Sequence, residues 1–128
     1  MSTILVIEDD SNLLEGLVLF LEMEGYATLS TTNGSTGLDL IRRHRPDVIV
    51  TNLQMPGAGG LEVLHAVRSE STLARTPVIF ITADNTPRVR QKAIQAGADA
   101  YLTKPFTTED LAEIISHLLL QSNHQRLS

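Results

Sequence analysis

Residues 46–60 read PDVIVTNLQMPGAGG, and the class of fold turns on how this stretch divides. Val48, Ile49 and Val50 form a short β-branched run, suited to a strand covered on both faces. The run ends in a polar pair, Thr51-Asn52, and opens into a loop in which Pro56, Gly57, Gly59 and Gly60 favour turns. From Leu61 to Arg68 the apolar residues return to helical spacing. In open α/β sheets chemistry gathers at the carboxyl ends of the strands, so Asn52 and the loop behind it are the first candidates for a site.

The amino-terminal side repeats the pattern twice. Ile4–Ile7 is a short apolar strand that stops at Glu8-Asp9-Asp10. Asp10 or Ser11 caps a helix carrying Leu14, Leu17, Val18 and Leu21, and Gly25 ends it. Ala27–Ser30 predicts a more polar edge strand. Asn33-Gly34 then turns into a helix with Leu38, Leu40 and Ile41, which closes on Arg42, Arg43, His44 and Arg45 at the negative end of its dipole. Pro46 forbids continuation. On the carboxyl-terminal side, Pro77–Thr82 predicts a fourth strand. Thr86-Pro87 is a cap followed by proline at the first helical position, with the helix running to Gly97. Ala100–Thr103 is a fifth strand, and after Lys104-Pro105-Phe106 a last helix is capped by Thr107 or Thr108, with Leu111, Ile114, Ile115 and Leu118 inward. Gln121–Ser128 is polar and aperiodic, which predicts a domain over residues 1–120 and a tail or linker over 121–128. Five strands alternating with five helices imply a parallel sheet with helices on both faces, a doubly wound α/β domain.

At 128 residues, with 42% hydrophobic and 20% charged side chains, the chain has the size and balance of one domain with a full core. The absence of cysteine excludes disulfides and thiolate metal sites. No basic-then-apolar leader opens the sequence and no apolar run approaches membrane-spanning length, so a cytoplasmic location with no membrane contact is expected. A net charge of −5 argues against direct binding of nucleic acid, which needs a basic surface. His44, His65, His117 and His124 fall in different helices or the tail, without ligand spacing. Gly57, Gly59 and Gly60 follow a proline turn and make no dinucleotide fingerprint.

The strands deliver polar residues at their carboxyl ends: Glu8 and Asp9 after the first, Asn52 at the third, Thr82 at the fourth, Lys104 after the fifth. Each alone has a plain structural explanation. Acids ahead of a helix cap it, threonine suits a strand end, and a lysine is most often a solvated charge. Chance would scatter them, whereas these converge on one edge. The segments that carry them are IEDD at 7–10, LQMPGAGG at 53–60, ITA at 81–83 and AYLTKPF at 100–106. In this order they resemble the receiver domain of two-component response regulators, over about residues 3–120.

That resemblance implies a flavodoxin-like five-stranded parallel sheet in the order 2-1-3-4-5. It implies phosphorelay signal transduction, in which an Asp at the end of the third strand takes a phosphoryl group from a sensor histidine kinase or phosphotransfer protein. It implies Mg²⁺, held by Glu8, Asp9, the acceptor position and the backbone carbonyl of Gln54, as hard-cation chemistry requires. Lys104 matches the lysine that pairs with phosphoryl oxygens, and Thr82 the hydroxyl that moves to bond them. Ala83 is small and leaves the pocket open, Tyr101 matches an aromatic whose rotamer reports activation, and Lys104-Pro105 matches a cis peptide. The fourth helix, fifth strand and last helix match a face used for self-association or docking. Arg88, Arg90, Lys92, Glu109 and Asp110 place both signs of charge there, as a salt-sensitive homodimer requires.

The departure is at the centre, where Asn52 stands in place of the acceptor Asp. An amide lacks the anionic oxygen that attacks phosphorus, so standard aspartyl phosphorylation is blocked. A natural pseudo-receiver and an Asp-to-Asn variant both satisfy this sequence. Either way the expectation is a non-enzymatic domain acting through protein–protein interaction. The enzymatic alternative, a phosphatase or phosphotransferase with Asp9 or Asp10 as nucleophile, has little room for a substrate cap in 128 residues. A flavin-binding domain would need free backbone N–H groups for phosphate after the first strand, where this chain has Glu8-Asp9-Asp10. Thr51 has a hydroxyl, but strand alternation turns it away from the side of its neighbour.

Overall fold

Each β-branched or aliphatic run is too short for a helix, and each becomes a strand of four or five residues: β1 (Thr3–Ile7), β2 (Ala27–Thr31), β3 (Val48–Asn52), β4 (Val78–Thr82) and β5 (Ala100–Thr103). Between and after them lie α1 (Ser11–Met23), α2 (Gly34–His44), α3 (Gly60–Ser69), α4 (Pro87–Gln95) and α5 (Thr108–Leu127). This computed structural model describes residues 1–55 and 57–127, with side chains through 122; Pro56, counted above among the loop formers, and Ser128 lie outside the described residues. All neighbouring strands pair in parallel, in the order β2-β1-β3-β4-β5. The fold is the flavodoxin-like, doubly wound one that the sequence predicts.

Alternation along the strands separates two cores. Leu5, Ile7, Ile49, Val78 and Phe80 face α2, α3 and α4, meeting Ile41, Val63, Leu64, Val67 and Ala93. Ile4, Val6, Val48, Val50, Ile79 and Ile81 face α1 and α5, meeting Leu17, Leu21, Leu111, Ile115 and Leu118. Both faces of β3 and β4 are covered, so every residue of those strands is buried. Each of these large side chains contributes about 1.5–3 kcal/mol through removal from water. The helices share this burial unequally, and α4 supplies only Ala93 as a fully buried side chain.

Side chains at the helix starts settle the alternatives left by the sequence. Asp10, not Ser11, caps α1, its Oδ1 accepting the N–H groups of Asn12 at 3.0 Å and Leu13 at 3.3 Å. Thr107 rather than Thr108 serves α5, its hydroxyl accepting the Asp110 N–H at 3.0 Å. Thr86 is the N-cap residue of α4 with Pro87 at the first helical position, as expected, but its hydroxyl turns to the Asp84 carboxyl and caps no N–H. Two expectations need correction. The helix α4 stops at Gln95 rather than Gly97, which has a left-handed φ of 109°. Residues 121–127 are not an aperiodic tail, since α5 continues through Leu127. No glycine or proline follows Pro105, so nothing in the side chains stops a helix already under way.

Candidate functional site

The strand order reverses direction between β1 and β3. From β1 the chain goes out to β2, then crosses through α2 to β3 on the other flank, leaving a crevice at the carboxyl ends of β1 and β3. Glu8 enters it fully buried, Asp9 stands exposed beside it, and Asn52 is the buried last residue of β3. The helix α3 begins directly behind, at Gly60. A Cβ there would sit 2.7 Å from the Asn52 carbonyl oxygen, so only glycine lets the helix start this close to the strand end.

Four of the expected side chains form one connected group. Asn52 Nδ2 donates to Glu8 Oε1 at 3.2 Å and to Asp9 Oδ1 at 2.9 Å. Its Oδ1 accepts the Gln54 N–H at 3.3 Å. Lys104 Nζ donates to both Glu8 oxygens at 3.2 Å, and the Asp10 N–H reaches Glu8 Oε1 at 3.2 Å. The ion pair offsets the cost of burying the glutamate. Among the described residues no buried polar side-chain atom lacks a partner.

Thr82 and Tyr101 belong to a second group, centred on the turn between β4 and α4. Thr82 Oγ1 accepts the Asp84 N–H at 3.1 Å, and the Tyr101 hydroxyl donates to the Asp84 carbonyl at 2.6 Å. The Arg90 guanidinium lies 5.7 Å from the centroid of the Tyr101 ring, within cation–π range. Burial, then the Asp84 carboxylate, push the Tyr101 hydroxyl above the ordinary phenol range, with Arg90 opposing. Hydrogen bonds from the Thr86 side chain and backbone hold the Asp84 carboxyl below the usual range. Ala83 is exposed, and the Lys104–Pro105 peptide is cis.

Thr51 lies on the other side of the sheet. Its hydroxyl donates to the Asn52 carbonyl at 3.0 Å and approaches Met55 Sδ at 3.9 Å. His44, His65 and His117 are dispersed on α2, α3 and α5 and exposed, while the His124 side chain lies outside the described residues. The sequence reading missed Asp84 and the stacking of Arg90. The signal for Asp84 was present, because Asp-Asn-Thr-Pro ahead of a helix is an Asx-type turn.

Glu8, Asp9, Asn52 and the Gln54 carbonyl are the residues expected to hold Mg²⁺. As arranged they do not fit a divalent cation, because the Asn52 NH₂ faces both acids and Lys104 has already paired with Glu8. Among the described residues, no three acidic or histidine side chains converge to hold a metal.

A family model of the response regulator receiver domain matches residues 4–116. The polar-differentiation response regulator DivK of Brucella anthropi is 33% identical over 117 residues, covering 91% of this chain and 95% of DivK. Response regulator MprA of a Mycobacterium species is 38% identical over 120 residues, covering 94% of this chain and 51% of MprA, so the chain spans about half the length of that relative. A response regulator receiver domain protein from Clostridium thermocellum has a solved structure that matches with a TM-score of 0.90 at 27% identity, covering 98% of this chain and 99% of that one. Among the described residues no helix is long and apolar enough to cross a membrane. With the family model spanning nearly all the strands and helices, the chain belongs to the receiver domains of two-component response regulators.

Proposed function

We propose that this chain is a receiver that signals without aspartyl phosphorylation, by protein–protein contact and not by catalysis. The observation that carries this reading is the side chain at the end of β3: Asn52, with its amide bonded to both neighbouring acids. We read Asn52 as standing at the phospho-acceptor position, where an amide offers no anionic oxygen to phosphorus. Lys104 and Thr82, which would contact a phosphoryl group, are instead bonded to Glu8 and to the Asp84 N–H. A sensor histidine kinase or phosphotransfer protein is then a docking partner rather than a phosphoryl donor, in the cytoplasm. The outward face for a partner or second copy is formed by α4, β5 and α5, where Arg88, Arg90 and Lys92 on α4 and Glu109 and Asp110 on α5 are exposed. No nucleic-acid contact by this chain is part of the reading.

The test is chemical. Native chain and Asn52→Asp are incubated with acetyl phosphate and Mg²⁺ and followed by intact mass. The native chain is expected to stay unmodified, while the Asp form gains a base-labile phosphoryl group. A stoichiometric phosphate on the native chain, on Thr51 or elsewhere, would overturn the reading. So would an Asp form that gains none.

A further inference from the structure

We propose that the Asn52 amide is an internal substitute for the divalent cation, so that the acid pair is held together from within and the folded domain is indifferent to Mg²⁺. The proposal rests on the reading of Asn52 as the acceptor position, and adds to it what regulates the site.

A cation at such a crevice does two things: it holds carboxylates at one point and neutralises them. Here the Asn52 amide does the first, and Lys104 offsets one of the two negative charges. The two hydrogens of Asn52 Nδ2 point to different carboxylates, Glu8 Oε1 at 3.2 Å and Asp9 Oδ1 at 2.9 Å, joining the β1–α1 turn to the end of β3. Lys104 Nζ, at 3.2 Å from both Glu8 oxygens, supplies the positive charge. The amide cannot turn over without loss. Its Oδ1 accepts the Gln54 N–H at 3.3 Å, so a reversed amide would set an oxygen against two carboxylates and an NH₂ against an N–H.

An incoming Mg²⁺ would therefore have to break the amide's contacts with both acids and draw Glu8 from its lysine. In return it would gain two carboxylates and neutral oxygens. Mg²⁺ demands near-octahedral oxygen geometry and gives up water reluctantly, which makes that exchange unfavourable. Asn52 is accordingly a positioning residue for Glu8 and Asp9, and bound cation is not what holds the crevice together.

The test uses the full chain and Mg²⁺ itself, with binding and stability as readouts rather than phosphorylation. Isothermal titration calorimetry is expected to show Mg²⁺ affinity at least about tenfold weaker for the native chain than for Asn52→Asp, a difference of about 1.4 kcal/mol. In thermal melts, millimolar Mg²⁺ against chelator should leave the native midpoint unmoved and raise that of Asn52→Asp. Should the variant fail to fold, Mn²⁺ line broadening of the native Glu8–Asp10 amide resonances decides alone: no selective broadening supports the proposal, and selective broadening overturns it. Equal Mg²⁺ affinity or equal midpoint shifts in the two chains also overturn it. A native chain that binds Mg²⁺ yet takes no phosphate sinks this inference and leaves the proposed function standing; a native chain that takes phosphate sinks the function itself.

Discussion

Tyr101 ties β5 to the turn between β4 and α4 through one hydrogen bond, from its hydroxyl to the Asp84 carbonyl at 2.6 Å. Removing the hydroxyl with Tyr101→Phe is expected to cost about 1 kcal/mol near neutral pH, the net worth of such a bond. Alkaline behaviour separates this from a packing effect. The folded state favours the neutral phenol, chiefly through burial and then through the Asp84 carboxylate. Its contribution is thus complete below the unfolded value of about 10 and is lost as pH rises through the higher folded value. Denaturant melts across the alkaline range should show the native chain losing stability more steeply than Tyr101→Phe, and parallel curves would refute the assignment. At this scale the sequence was legible wherever a residue's place follows from a strand end, as for Glu8, Asp9, Asn52, Thr82 and Lys104. It was silent on how they pair. That Asn52 bonds both acids, or that Arg90 covers Tyr101, depends on distances between strands and helices far apart in the chain.

Between elements, Arg68 is the side chain whose loss should matter most. From the last turn of α3 it donates to the Gly97 carbonyl at 3.2 and 2.8 Å, to Ala74 at 3.2 Å, to Thr76 at 2.6 Å and to Asp99 Oδ2 at 2.8 Å. That same Asp99 oxygen accepts the N–H of Val78, the first residue of β4, at 2.8 Å. One guanidinium therefore ties the α3–β4 and α4–β5 connections to each other. Arg68→Met keeps the apolar stem and removes every donor, at an expected cost on the order of 2–3 kcal/mol, because several carbonyls lose partners in a half-covered place. A midpoint of thermal unfolding within error of the native chain would contradict this. In sequence Arg68 is only a cation in a last turn, and its reach is invisible there. The extent of α5 was hidden for another reason. Apolar periodicity fades after Leu118, but a helix needs a stop signal to end, and the absence of glycine and proline outweighs the polar composition of Gln121 onward.

For the whole molecule, the order and direction of the strands were the most legible feature, since buried runs alternating with amphipathic helices admit few other arrangements. What the molecule presents outward was less so, because exposure depends on which helix covers which strand. On α4 the side chains of Arg88, Arg90 and Lys92 stand exposed with Ile94, an apolar side chain 45% exposed among charged and polar ones. A second copy docked through α4, β5 and α5 would set these cations against Glu109 and Asp110. Sedimentation at high micromolar concentration should reveal a dimer that dissociates as salt screens the charges; a monomer at both low and high salt would exclude it. The light packing of α4 has a further consequence. Since Ala93 is its only fully buried side chain, most other positions on that helix carry no packing duty. Apart from Val89, Arg90 and Ala93, its side chains can be replaced without disturbing the core or the strand-end group, so fitting the domain to a new partner requires rewriting one helix and nothing beneath it.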